Sequence, residues 1–321
     1  MAEKHGETGQ PALFEPPKEE VRPAEPVVST PLTEALTLNA ALPAFETYMR
    51  QRGFAENTRK AFLGDLRLLV KYLGGDRLVS TITVEDLEGF LNWLHQRQDP
   101  PPKPKTMARR ITTLKVFFSF LAEQKIIAED PAASIPQIRA KTPLPRILHD
   151  DEVERLLDAA QKRLWGRHPD PRPYLLISLV LYTGIKKGEL VNIKLTNIDR
   201  SNPKRPVLEI RYDNPRMRHK ERNIAFPASL LPVLDQYLQI YKPKERLFEW
   251  TPRNLEYVLA DIAEEAGIEG GVSFEMLRWT CAVRDYRRGM PEEQLRQKLG
   301  LSPVTWRETF EKIQKLASPG L

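Results

Sequence analysis

The sequence contains little cysteine and histidine and no long apolar run. Its only cysteine is Cys281, so no disulfide can form within the chain, and one thiol is typical of a reducing compartment. With five histidines beside it, a clustered zinc site is not expected. The polar start, MAEKHGETGQ, and the lack of a run of membrane-spanning length predict no signal peptide and no transmembrane helix. We therefore expect a soluble cytoplasmic protein without a metal.

Glycine-rich phosphate loops of the forms GxGxxG and GxxxxGK[ST] are also missing, which argues against a nucleotide-driven motor. What is present is a chain of 321 residues, 41% of them hydrophobic, which is enough for two domains and a tail. The net charge of +6 and the pI of about 9.2 are compatible with a polyanionic partner but do not by themselves identify one.

Composition divides the chain into four segments. Residues 1–34 are rich in proline and predict a disordered tail. Residues 35–135 carry apolar side chains at helical spacing and predict a bundle of four helices. Residues 136–147 form a linker with proline and basic residues, and residues 148–321 form a second domain.

The second domain has strand character at Val207–Tyr212 and Asn223–Phe226, separated by a basic turn. Helical patterns surround these two strands on both sides. The sequence therefore predicts a mainly α chain with a small antiparallel β-hairpin, an α+β fold.

Three segments have a pattern of their own. Residues 181–190 read LYTGIKKGEL, residues 273–280 read SFEMLRWT, and residues 299–310 read LGLSPVTWRETF. In this order and at these distances they resemble the motif boxes of the tyrosine recombinase (phage integrase) family. Those boxes read roughly T-G-[LM]-R-x-x-E-L, H-x-L-R-H-T and L-G-H-x-x-x-x-T-x-x-x-Y.

The resemblance covers about residues 38–316. It implies an N-terminal helical core-binding (SAM-like) domain, a C-terminal catalytic-type domain and chemistry without a metal or cofactor. In the family a tyrosine cleaves a DNA strand through a 3′-phosphotyrosyl link, and two arginines hold the scissile phosphate. A hairpin lysine protonates the leaving oxygen, and two further His or Trp positions assist.

Carried over by position, this machinery is only partly present. The first-box arginine falls on Lys186, or on Lys187 if the register slips by one, and the second-box arginine is intact as Arg278. Lysine keeps the charge but not the bidentate fork. The hairpin lysine falls on Met217, which cannot donate a proton, although Lys220 lies nearby in the sequence.

The remaining positions differ more strongly from the family pattern. The second-box histidine falls on Glu275, the late His/Trp position on Leu301 and the nucleophile on Phe310, which has no hydroxyl. Tyr286 is the last tyrosine of the chain, so a shifted alignment does not supply one.

Several basic runs coincide with positions that face DNA in the resembled family. A solvated surface is the ordinary explanation of one such run, but their number favours phosphate and base contacts. The residues expected to bind DNA are Thr58, Arg59, Lys60, Lys105, Thr106, Arg109, Arg110, Lys186, Arg216, Arg218, Lys220, Arg222 and Arg278.

Three functions fit these observations. The favoured one is a pseudoenzyme, not an enzyme, that binds double-stranded DNA as an accessory or regulatory factor in recombination, integration or a mobile element. Its partners would be DNA of the nucleoid and an active recombinase or a second copy of itself. One alternative is an active site-specific recombinase with unusual residues, or an engineered Tyr-to-Phe trap of one. The other is a scaffold for protein association that does not bind DNA.

Overall fold

In the computed structural model, which describes residues 35–97, 100–138 and 143–318, the chain divides between residues 142 and 143 into two units. The predicted tail at residues 1–34 and the linker residues 139–142 lie outside the described ranges. Each unit is built around a core of its own. No helix among the described residues combines the length and the apolarity needed to cross a bilayer.

The N-terminal unit consists of four helices that bury one apolar face each. Thr37 caps the first helix by accepting a hydrogen bond from the Ala40 N–H at 3.3 Å. At the third helix, the Thr83 N–H donates to Asp86 and the Asp86 N–H donates to the Thr83 hydroxyl, which forms a reciprocal cap. The helices are α1 (Leu38–Gln51), α2 (Glu56–Leu73), α3 (Val84–Arg97) and α4 (Pro104–Glu123).

The C-terminal unit surrounds a small sheet with eight further helices. Its most apolar helix is central, because nearly every side chain from Leu175 to Leu181 is buried. The helices are α5 (Asp150–Lys162), α6 (Arg172–Thr183), α7 (Lys187–Leu190), α8 (Leu231–Tyr241), α9 (Pro252–Glu265), α10 (Phe274–Arg287), α11 (Glu292–Leu299) and α12 (Pro303–Ala317).

The sheet is antiparallel and has the order β1 (Ile198–Asp199), β2 (Val207–Ile210), β3 (Arg222–Ala225). The predicted hairpin is confirmed, with Leu208 opposite Ile224. The first predicted strand is too long, because Tyr212 leaves the ladder and its N–H donates to the Glu221 carboxylate at 3.0 Å.

Gly184 ends α6 in the left-handed conformation, with φ of +63°. A Cβ at this position would lie 3.2 Å from the Cys281 sulfur and 2.9 Å from Leu299 Cδ2. Glycine is therefore required both for the backbone conformation and for the close approach of α6 to α10. Cys281 itself is buried, and burial raises the pKa of its thiol to about 12.

Candidate functional site

The turn between α6 and α7 brings two cations of the C-terminal unit together. Arg278 projects from α10, and its guanidinium donates to the carbonyl oxygens of Gly184 and Leu299, the latter at 2.6 Å. Burial lowers the pKa of this guanidinium to about 10. Among the described residues no carboxylate lies within 4.0 Å of it, so backbone carbonyls hold Arg278, and Glu189 acts on its charge only from a greater distance.

Lys186 occupies the position before α7 because its N–H is held by Glu189 Oε2 at 2.8 Å. Its side chain is half-buried. Burial, followed by the positive charge of Arg278, lowers the pKa of Lys186 to about 8. Lys220 and Arg222 act in the same direction, and Glu189 opposes them. An anion placed here would relieve the repulsion between these cations.

Arg222 is a correction to the predicted DNA contacts. Its side chain is only 8% exposed, and it forms a bidentate ion pair with buried Glu189 at 2.9 and 3.0 Å. Its Nε–H donates to the Lys298 carbonyl at 2.7 Å. A buried carboxylate needs such a counter-charge, so this arginine ties β3 to α7 and α11 and does not face outward. A Cβ on Gly300 would lie 2.6 Å from the same guanidinium.

The electrostatics of this ion pair follow from its hydrogen bonds. Burial by itself raises the pKa of Glu189. The hydrogen bonds and the charge of Arg222 outweigh burial and lower this pKa to about 2. The Tyr212 hydroxyl donates to the same carboxylate. Burial and this bond raise the pKa of Tyr212 to about 12.

The basic turn between β2 and β3 is a 3₁₀ segment, Pro215–Lys220. Arg216 and Arg218 are exposed on it, as expected for residues that meet a partner. Lys220 is half-buried, and its ammonium lies 3.6 Å from the sulfur of Met217, the position matched to the family's acid. The turn therefore contributes exposed arginines and one lysine whose charge reaches Lys186.

Several of the positions matched to the family's motifs line one cavity of about 870 Å³. Lys186, Glu275, Arg278 and Leu301 all line it. Glu275 is exposed there and brings a negative charge to a cationic site. The cavity thus combines three cations, two carboxylates and an apolar wall. Lys187 and Glu256 pair with each other at its edge, which leaves Lys186 and Arg278 as the cations without an ion pair among the described residues.

Phe310 takes part in aromatic packing on α12. Its ring stacks on Trp306 with the centroids 5.1 Å apart, and it meets Tyr286 edge to face at 5.6 Å. Trp306 is 5% exposed, and its indole N–H donates to Glu292 at 2.7 Å. The phenyl ring therefore helps to attach α12 to α10.

The candidate DNA contacts of the N-terminal unit lie at the start of α2 and along α4. Lys105 is exposed and Thr106 half-exposed at the start of α4. On α2, Thr58 and Arg59 are half-exposed, and the Arg59 guanidinium donates to the Phe54 carbonyl at 2.8 Å.

Lys60, also on α2, is exposed and pairs with Glu56 at 2.5 Å. Exposed pairs of this kind contribute little free energy. Lys60 therefore stays available to a phosphate.

Arg110 is the second correction to the residues that were expected to bind DNA. It is 6% exposed, and its Nε lies 3.6 Å from Asp65, a buried carboxylate on α2. Arg109 contacts the same carboxylate but keeps 36% of its side chain exposed. Sequence reasoning missed Asp65, although an acidic residue on the apolar face of α2, three positions after Phe62, was the available signal.

Comparison with known proteins follows the division into two units. Residues 43–125 match the family model described as "Phage integrase, N-terminal SAM-like domain", and residues 146–305 match the model "Phage integrase family". A tyrosine recombinase of Thermosipho africanus is 26% identical over 87% of this chain and 100% of its own length. Tyrosine recombinase XerC of Anoxybacillus flavithermus is 25% identical over 87% and 94%.

Solved structures share the fold. XerH recombinase bound to a palindromic difH substrate has a TM-score of 0.67 at 19% identity, covering 87% of this chain and 82% of that one. A lambda integrase tetramer bound to a Holliday junction has a TM-score of 0.66 at 18% identity, covering 86% and 77%. At these identities the likeness concerns the fold alone.

The prediction that this chain is not an enzyme is wrong. The relatives that match nearly its whole length are named as tyrosine recombinases, which are enzymes. The substitutions at the matched positions do not outweigh this relationship, because a substituted motif position is not a measurement of lost activity.

Proposed function

Since the chain belongs to the phage integrase family of tyrosine recombinases, we propose that it binds duplex DNA and acts in DNA recombination. The observation that carries this proposal is the pair of cations in the cavity, Lys186 and Arg278, whose charges have no carboxylate partner within 4.0 Å among the described residues. A backbone phosphate of DNA is the anion that such a pair accepts.

The exposed cations of both units extend the proposed surface. Lys60 and Lys105 lie on the N-terminal unit, and Arg216 and Arg218 lie on the turn of the C-terminal unit. Phosphate contacts of this kind are independent of sequence and supply affinity. Structures with this fold include XerH and lambda integrase on DNA, the latter as a tetramer, and we propose self-association on DNA for this chain as well.

Salt dependence of binding tests this proposal. We expect the dissociation constant for a labelled 30-bp duplex to rise roughly a thousandfold between 50 and 200 mM salt if about six phosphates are contacted. The double variant Arg216→Ser, Arg218→Ser should have a smaller slope, whereas Arg253→Ser, an exposed change on α9, should leave the slope unchanged. Binding that ignores salt would contradict the proposal and favour a role in protein association.

Strand cleavage is tested separately. Phe310 has no hydroxyl group, so an adduct of the family's kind must form at another position of this chain. A suicide duplex that traps the cleaved strand, followed by peptide mapping, identifies that position. The mapped residue then identifies the nucleophile that this chain uses.

A further inference from the structure

A buried carboxylate joins two helices of the N-terminal unit. Asp65 of α2 is 5% exposed and receives hydrogen bonds from Arg109 and from the Thr113 hydroxyl, the latter at 2.9 Å. Both donors lie on α4, one turn apart. Asp65 therefore determines how α4 is rotated against α2.

Only one of the three nitrogen atoms of the Arg109 guanidinium makes these contacts. Its Nη1 donates to Asp65 and to the Ala61 carbonyl, the latter at 3.2 Å. Both hydrogens of Nη1 are thereby occupied. Nε and Nη2 have no hydrogen-bond partner among the described residues, and neither atom is buried. One edge of the fork, with parallel N–H groups, is open to solvent.

The open edge still carries charge. Asp65 is shared by Arg109 and by Arg110, whose Nε lies 3.6 Å from the other carboxylate oxygen. One carboxylate facing two guanidinium groups leaves a net positive charge, and Arg110 is buried. The excess charge is therefore presented at Arg109, the member of the cluster that is 36% exposed.

We propose that Asp65 is a positioning residue for sequence recognition, which holds Arg109 so that its Nε–Nη2 edge meets the O6 and N7 atoms of a guanine. This inference rests on the proposed binding of duplex DNA. Two parallel donors match those two acceptors. A guanidinium that is already fixed loses less freedom on binding and cannot turn to other partners, so the fixed geometry favours one base over the others.

The test compares affinity for two DNA molecules. A duplex is selected from a random library with the full-length wild-type chain, and a scrambled duplex of the same composition serves as the reference. Discrimination is measured as the dissociation constant for the scrambled duplex divided by that for the selected duplex. We expect Asp65→Asn to lower that ratio roughly tenfold or more, while affinity for the scrambled duplex is unchanged or higher. Glu88→Gln is the matched control, because it removes the same charge from an exposed position of the same unit.

A second variant guards against a folding effect. Arg109→Lys keeps a counter-charge for Asp65 but loses the fork, so we expect the same loss of discrimination at an unchanged melting temperature. In the double variant Asp65→Asn, Arg109→Lys the two losses of discrimination should not add, because both changes remove the same guanine contact.

The outcomes separate this inference from the proposed function. Wild-type discrimination retained in Arg109→Lys, or additive losses in the double variant, would overturn the role of Asp65 while DNA binding stands. Selection of no preferred sequence by a wild-type chain that binds in a salt-dependent manner would overturn it too. Absence of any salt-dependent binding would contradict the proposed function itself.

Discussion

At the scale of single residues, the cavity holds two half-buried cations, Lys186 and Arg278, that form no ion pair among the described residues. Burial lowers the pKa values of both Lys186 and Arg278, and the positive charge of Arg278 lowers that of Lys186 further. Repulsion between the two charges lowers the stability of the unbound protein and is released when an anion enters. Binding of a phosphate is therefore coupled to the protonation of Lys186.

This coupling predicts a pH dependence. Because the pKa of Lys186 is about 8 in the free protein, the ammonium is mostly charged at pH 7 and mostly neutral at pH 9. A bound phosphate favours the charged form, so affinity for DNA should fall by up to about tenfold per pH unit above pH 8. Anisotropy titrations of a labelled duplex between pH 7 and 9 measure this fall.

Two variants make this test specific. Lys186→Arg stays charged throughout the range and should bind with nearly constant affinity. Lys187→Arg, the same exchange at the neighbouring position, should keep the wild-type profile. Equal slopes in all three proteins would show that Lys186 does not meet the phosphate.

Removal of the Glu189 carboxylate should unfold the C-terminal unit more easily. Glu189→Gln leaves the Arg222 guanidinium buried without its counter-charge, which costs roughly 3–5 kcal/mol. The exposed ion pair between Glu256 and Lys187 supplies the control, and Glu256→Gln should cost less than about 1 kcal/mol. Denaturant unfolding measures both values.

Acid titration of the wild type checks the same carboxylate. The folded-state pKa of Glu189, about 2, lies below the ordinary value of 4.5. Its contribution to stability is therefore complete above about pH 4.5 and is lost as the pH falls towards 2. The Glu189→Gln protein should lose less stability over this interval than the wild type, and an identical loss would place the acid sensitivity elsewhere.

At the scale of elements, α12 is attached to its own chain along one side. Trp306, Ile313 and Leu316 are buried in a cluster with residues of α10 and α11. Arg287 of α10 donates to the carbonyl oxygen of Leu316 at 3.0 Å and so holds the far end of the helix. Docking of α12 is thus shared between an aromatic stack at one end and a carbonyl clamp at the other.

Truncation of the buried indole tests this docking. Trp306→Ala should cost roughly 3–5 kcal/mol, because it removes a large buried side chain and leaves the Glu292 carboxylate without its donor. Val304, two residues earlier, is 74% exposed, and Val304→Ala should change stability by less than about 0.5 kcal/mol. A small effect of both would mean that α12 is not held by its aromatic face.

Local sequence information predicts much of this level of structure. The helices of the N-terminal unit follow from apolar spacing, and the cap at Thr83 and Asp86 follows from two residues three apart. The hairpin follows from alternating strands around a basic turn. The two-residue strand Ile198–Asp199 is too short to show a period, and it forms because β2 offers a partner.

The residues next to an arginine in the sequence do not predict whether its side chain points inward or outward. Arg110 and Arg222 belong to basic runs like their neighbours, yet each turns inward to a carboxylate on another element, Asp65 or Glu189. Those carboxylates lie tens of residues away in the chain. Only the tertiary packing shows which cation of a run serves a buried partner and which remains for a ligand.

At the scale of the whole molecule, the chain consists of two units with separate hydrophobic cores. One core is formed by residues of α1–α4 and of the segments next to them, and the C-terminal unit contains two clusters, the larger around α6 and the smaller around α12. Because each unit buries its own apolar surface, we expect each to unfold as a unit of its own. A substitution in one core should then leave the other unit's stability unchanged.

Cys281 makes that expectation measurable without any label being introduced. It is the only thiol of the 321 residues, it is buried against Gly184, and burial raises its pKa to about 12. Alkylating reagents act on the thiolate, so the folded C-terminal unit should resist them, and the rate of modification should report how often that unit opens.

In Leu69→Ala, which creates a cavity in the N-terminal core, the alkylation rate should equal that of the wild type. In Leu277→Ala, the matched change on α10, it should rise roughly a hundredfold or more. A rise in Leu69→Ala would show that the two units open together. The rate at which one buried sulfur atom is modified thus reports how often the C-terminal unit opens.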